Sequence, residues 1–195
     1  MANGTMRISW IVVAFISAVM LAQPASAACL PTNPDIAIYG VELGDPLSAA
    51  LQLGSGYELV EDESELPHAV FTNAAETEVL KLFKHYGDKS GAFREAEVLA
   101  TADLESDVDA TVLDTPQFRS RRGITLGLSR KEVVDRFGPC AATGNTETGA
   151  DVIRYEITDI ATSDLLKAQN MPLYYAEYAF EQDKLVRFVF GFSYP

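Results

Sequence analysis

The chain has 195 residues, with 15 Lys or Arg against 28 Asp or Glu, a formal net charge of −13 and 48% hydrophobic residues. That acidity argues against nucleic acid and anionic membrane surfaces as partners. The length suffices for one well-buried core or for two small fused units.

In chain order, Arg7 comes first, followed by "ISWIVVAFISAVML", an uncharged and almost wholly apolar run from Ile8 to Leu21, and then by "AQPASAACL". A basic residue, an apolar core too short to span a bilayer comfortably and small residues before a cut make a secretory signal. The pattern predicts a signal peptide over 1–27, cleaved after Ala27 with Ala25-Ser26-Ala27 as the recognition element, and a periplasmic or secreted protein. Pro24 and the small-residue site directly after the apolar run argue against a retained anchor, and the sequence has no second apolar span. Cys29, in "SAAC", offers a lipid anchor as an alternative, although Ser26 stands where a lipobox has a larger aliphatic residue. The preferred reading pairs Cys29 with Cys140, the only other cysteine, as a disulfide in an oxidising compartment. Closing so long a loop without strain would contribute about 4 to 5 kcal/mol.

The next segment, "YGVELGDPLSAALQLGSG", resembles a later one, "GITLGLSRKEVVDRFGPC". Gly40, Val41, Leu43 and Gly44 recur 83 residues on as Gly123, Ile124, Leu126 and Gly127. After one inserted residue in the second copy, Asp45, Ala50, Leu53 and Gly54 recur as Ser129, Val134, Phe137 and Gly138 in the same order. Internal similarity of this kind is a fold signal in its own right. Each copy predicts a short extended segment, a glycine turn and a brief helix. Asp45 caps the first helix, with Pro46 at its first position. Ser129 caps the second, with Glu132 completing a capping box. Leu47, Ala50, Leu51 and Leu53 form one predicted core face, and Val133, Val134 and Phe137 the other. Gly54 and Gly138 end the helices, the latter sealed by Pro139.

Strand patterns follow each helix. "HAVFTN", "ETEVLKLFKHY" and "AFREAEVLAT" follow the first; "DVIRYEIT", "LYYAEYAF" and "LVRFVFGFS" follow the second. These alternating β-branched and aromatic runs, joined by turns such as "GDKSG" and "EQDK", predict antiparallel hairpins. The segment "DIATSDLLKAQNMP" reads as a loop with a helical turn. The expected fold is α+β: two tandem helix-plus-antiparallel-meander repeats forming one curved sheet with helices on one face. The repeats are placed at 28–100 and 119–195, with an acidic linker over 101–118.

The glycine, cap, short helix and Gly-Pro stop of "GITLGLSRKEVVDRFGPC" resemble the helical portion of BamE/SmpA-like modules. They are equally similar to the repeat of β-lactamase-inhibitor-protein-like (BLIP-like) domains. The resemblance covers Gly123 to the C-terminus well and the first unit more loosely. A tandem pair implies the inhibitor-type arrangement, in which a concave sheet binds another protein.

Side chains able to carry chemistry are few. His68 follows Pro67 in a polar run and reads as a loop histidine; His85 reads as an exposed strand histidine. Neither has ligand spacing to another His, Cys or Glu, so no metal and no catalytic set is expected. Neither "LGSGYE" nor "LGLSRK" is a nucleophile elbow, and two distant cysteines do not make a redox pair. Asp103, Glu105, Asp107, Asp109 and Asp114 alternate like a calcium loop, but Val108 stands where the turn needs glycine. Arg119, Arg121 and Arg122 in "FRSRRG" read as a solvated cluster paired internally.

The sheet gives the candidate site. Val186, Phe188, Phe190 and Phe192 read as one apolar row, opposite Leu185, Arg187 and Val189. Ile153, Tyr155 and Ile157 form another apolar row. With the apolar rows under the helices, Arg154, Glu156, Tyr175, Glu177 and Arg187 fall on the open face, joined from the first unit by Lys81, Phe83, His85, Glu95 and Glu97. Aromatic and arginine side chains in such a setting suit protein contact. The expectation is a non-catalytic, cofactor-free, exported module that binds another envelope or exported protein. The alternatives are a small hydrolase or ligand carrier using His85 in a pocket between sheet and helices, and a lipid-anchored assembly factor held by Cys29.

Overall fold

The computed structural model describes residues 30–61, 65–103, 109–139, 143–145 and 149–194. The signal segment, Cys29, Cys140, Glu105 and Asp107 lie outside the described residues, and with them the cleavage site, the disulfide and the middle of the acidic run.

Local chemistry explains the elements. A tight hairpin, β1 (Ala37–Ile38) and β2 (Val41–Glu42), turns at Tyr39 and Gly40, both with positive φ. Helix α1 (Pro46–Leu53) has Asp45 as N-cap, whose carboxylate accepts the Leu47 N–H at 2.9 Å. Helix α2 (Arg130–Phe137) begins with the complete Ser129/Glu132 capping box. Gly54 and Gly138 end these helices, donating to Ala50 and Val134. A third helix, α3 (Asp164–Gln169), fills the expected helical turn, capped by Ser163 and ended by Asn170 in the left-handed region.

The strands are β3 (His68–Thr72), β4 (Glu78–Phe83), β5 (Glu95–Ala100), β6 (Thr111–Val112), β7 (Thr143–Asn145), β8 (Asp151–Ile157), β9 (Leu173–Glu181) and β10 (Lys184–Ser193). They form an eight-stranded sheet in the order β6-β3-β4-β5-β10-β9-β8-β7, antiparallel except where β6 runs parallel to β3. Two three-stranded meanders, β3-β4-β5 and β8-β9-β10, therefore meet through β5 and β10 at the centre. The architecture is α+β with one large, mostly antiparallel sheet.

The core lies on one face. Ala49 of α1, Val133 and Phe137 of α2 and Leu166 of α3 join a single buried cluster with Phe71, Leu80, Leu82, Val98, Ile153, Tyr155, Tyr178, Phe188 and Phe190 from the sheet. Phe137 anchors α2, its ring 5.2 Å from Tyr178 and 5.6 Å from Tyr155. Burying a phenylalanine of this kind contributes about 1.5–3 kcal/mol. The run 109–118 also enters this core through Leu113 and Phe118, besides pairing β6 with β3.

Three expectations are corrected. The predicted face of α1 meets the core only at its end: Leu47 and Leu51 are 64% and 73% exposed and Ala50 is exposed, while Ala49 is the buried residue and Leu53 packs partly buried against the core. The reason is geometric, since α1 docks through the small Ala49 while Ser48 bonds back to Glu42 and Asp45. Leu185 and Val186 exchange faces, because the pairing of β9 with β10 shifts between Leu185 and Arg187. This bulge sends Leu185 into the core and Val186 to the opposite face, beside Ala150, Val152 and Ala179. His68 is not a loop residue; it starts β3 and is buried, with its Nδ1 2.9 Å from the Leu66 carbonyl oxygen.

Candidate functional site: the open face of the sheet

Register alone assembles the site. Cross-strand pairing sets Lys81 against Glu97, Glu97 against Val189, Val189 against Glu177, and Glu177 against Arg154. The adjacent row runs Phe83, Glu95, Gly191, Tyr175 and Glu156. Alternate residues in these strands belong to the helix-side core, so both rows point to the other face. Nine of the ten residues expected there share one surface: Lys81, Phe83, Glu95, Glu97, Arg154, Glu156, Tyr175, Glu177 and Arg187.

His85 departs from it. Strand β4 stops at Phe83, and His85 lies beyond it in the turn toward β5, its ring 5.5 Å from that of Tyr194. Burial lowers its pKa, opposed by a hydrogen bond to the Phe192 backbone. His85 lines two clefts at the strand ends, of about 560 and 300 Å³, and the smaller also touches Gln169 and Asn170 at the end of α3.

Seven of the nine, all but Lys81 and the buried Phe83, form a lattice of ion pairs and hydrogen bonds. The Arg187 guanidinium donates to Glu97 and to Glu177, and Arg154 donates to Glu156 at 2.7 Å and to Glu177 at 3.1 Å. Glu177 thus joins two arginines from different strands. The Arg154 guanidinium also sits over the Tyr175 ring, 4.6 Å from its centre. Tyr175 donates its hydroxyl to Glu95 across Gly191, the residue between them in register. A Cβ at Gly191 would lie 2.7 Å from the Arg94 carbonyl oxygen and the Glu95 Cα, so only glycine lets these strands approach. Lys81 turns outward to Glu65 at 3.2 Å.

The electrostatics follow from half-burial. Burial raises the Glu95 carboxyl above its usual range despite the Tyr175 hydrogen bond, and burial likewise raises the Tyr175 hydroxyl, reinforced by Glu95. For Arg154 and Arg187 burial works against the charge, but their carboxylate partners outweigh it and raise both pKa values. The lattice holds its side chains in fixed places. At the β3 side Val60 and Ala110 pack on Val70, Val79 and Leu99. The exposed part of the face therefore centres on β5, β10, β9 and β8.

Of the arginine cluster, Arg121 pairs with Glu42 at 2.6 Å, while Arg122 donates its Nη2 to the Arg136 carbonyl at 2.7 Å. The residue that sequence reasoning missed is Asp35. It is fully buried, accepts the Arg122 N–H on both carboxylate oxygens, and its carbonyl accepts the Tyr174 hydroxyl at 2.8 Å. Burial, offset in part by bonds from Ser120, Arg122 and Ala37, raises its pKa to about 6. No signal in "PTNPDIAIYG" marks this acid as buried.

Comparison with protein-family models, with curated proteins and with solved structures finds no match to this chain.

Proposed function

We propose that this chain is an exported, non-catalytic protein-binding module of the cell envelope. It uses the sheet face opposite the helices to hold a protein partner. The observation that carries this reading is the lattice itself: Arg154, Arg187, Tyr175, Glu97 and Glu177, fixed on four adjacent strands on a face where no helix packs among the described residues. Fixed Arg and Tyr side chains lose little entropy on binding, which suits them as anchors.

The same reading takes the chain as two BamE/SmpA-like or BLIP-like units. Gly44 and Gly127 support it, with φ of 84° and 83° before the two helix caps. Each donates its N–H at 2.8 Å to a residue at the third strand of its own meander, Phe93 or Leu185. Duplication of one block accounts for both the matching turns and the mirrored strand order.

The test is capture of an envelope protein by the exported chain, with the captured protein identified and rebound in purified form. Tyr175→Ala with Arg187→Ala should abolish rebinding while far-UV circular dichroism stays unchanged. Retained binding would refute the open-face site. Intact mass of the exported chain reports the anchor: cleavage after Ala27 with a two-hydrogen deficit for the disulfide, or a lipid adduct on Cys29.

A further inference from the structure

The smaller cleft beside His85 lies between the β4–β5 turn and the end of α3. It is lined by His85, Asp88, Lys89, Arg94, Asn170 and Tyr194, among others. Arg94 is held in place there: its Nε donates to Asp88 Oδ2 at 2.8 Å and its Nη1 to Gln169 Oε1 at 3.2 Å. Among the described residues these two bonds use Nε and Nη1, and no hydrogen bond engages Nη2. Asp88 spends its other oxygen on the Ser90 N–H at 2.8 Å, so both its oxygens are engaged. Among the described residues lining this cleft, Arg94 and Lys89 thus face a single acid, a local excess of positive charge in a chain of net charge −13.

Two aromatic rings line the same cleft. The His85 and Tyr194 rings lie 5.5 Å apart at 52°. A guanidinium fixed by two bonds presents its free edge to a planar anion with little entropy left to lose. Adjacent ring faces suit a flat apolar body.

We propose that this cleft binds a small organic carboxylate carried on a flat aromatic or apolar body, with the carboxylate on Arg94 and the body against His85 and Tyr194. The site is separate from the open sheet face and does not depend on the protein-binding reading.

Benzoate is the probe and benzamide, its neutral isostere, the control, each titrated to about 20 mM into the isotopically labelled chain at constant ionic strength. Two-dimensional nuclear magnetic resonance then follows the Arg94 Nε–H and the backbone amides of Gly87, Lys89 and Asn170. The expected result is saturable binding of benzoate with a Kd of about 1 mM or tighter, and binding of benzamide weaker by about tenfold or more. Lys89→Gln should weaken benzoate about two- to fivefold, and Arg94→Gln should abolish its binding. Shifts that rise linearly throughout, equal binding of benzamide, or benzoate binding that survives Arg94→Gln would each overturn the proposal. Should Arg94→Gln fail to fold, the benzoate and benzamide titrations of the unaltered chain decide the matter alone.

Discussion

Replacing Asp35 with asparagine should flatten the pH dependence of folding stability. Asp35 is buried, and its pKa is raised from 3.8 to about 6. The folded chain therefore holds a proton that the unfolded chain releases between these values. Stability from this group is fully present below pH 3.8 and is lost as pH rises through 6. The full effect of that shift is about 3 kcal/mol. Relative to pH 8, the unaltered chain should gain about 1.4 kcal/mol from Asp35 at pH 5 and about 2.4 kcal/mol at pH 4. Asp88, whose burial is outweighed by bonds from Ser90 and Arg94 that lower it to about 2, acts in the opposite sense, its stability lost as pH falls from about 4 through 2, equally in both proteins. Glu78 and Glu95 are raised by burial and contribute in the same direction, so the difference between the two proteins is the quantity to read. Urea denaturation followed by far-UV circular dichroism at pH 8, 5 and 4 provides it. Parallel pH profiles for the unaltered chain and Asp35→Asn would refute the argument, as would a directly measured Asp35 titration in the ordinary carboxylate range.

Gly191→Ala should cost about 1–3 kcal/mol in the same assay, because the new Cβ meets backbone atoms of β5 that cannot give way. Ser129→Ala removes the capping box of α2 and should cost about 1 kcal/mol. Leu51→Ser, on the exposed stripe of α1, should change stability by less than about 0.5 kcal/mol, whereas Phe137→Ala should cost about 3–5 kcal/mol.

Much of the fold is legible because short-range chemistry and strand alternation agree. The Ser129/Glu132 box, the Asp45-Pro46 start and the six strand patterns each specify their own element without help from distant residues. The open face is legible for the same reason: a period of two fixes which of Arg154, Tyr175, Glu177 and Arg187 share a side. The failures occur where tertiary context wins. Nothing local marks the Val186 bulge, which depends on how β9 and β10 settle around a hairpin turn with Gln182 and Asp183 both at positive φ. Nor does the Leu47/Leu51 pattern reveal that α1 docks through Ala49 and Leu53 instead. His85 extends the alternation of β4 by one step beyond where pairing with β5 stops, so periodicity placed it on the wrong structure. Asp35 and the Arg94 cleft arise from residues far apart in sequence, and no spacing rule reaches them.

The two sides of the sheet have different uses in the proposed function, and site-specific photo-crosslinking compares them directly. A photoreactive residue is placed at Glu156 on the open face or at Leu51 on the exposed side of α1, and the chain is exported in the cell that makes it. The expected result is a discrete protein adduct from position 156, lost when Tyr175 and Arg187 are replaced by alanine, and none from position 51. An adduct from position 51 with none from 156 would place the partner on the helix layer and contradict the account.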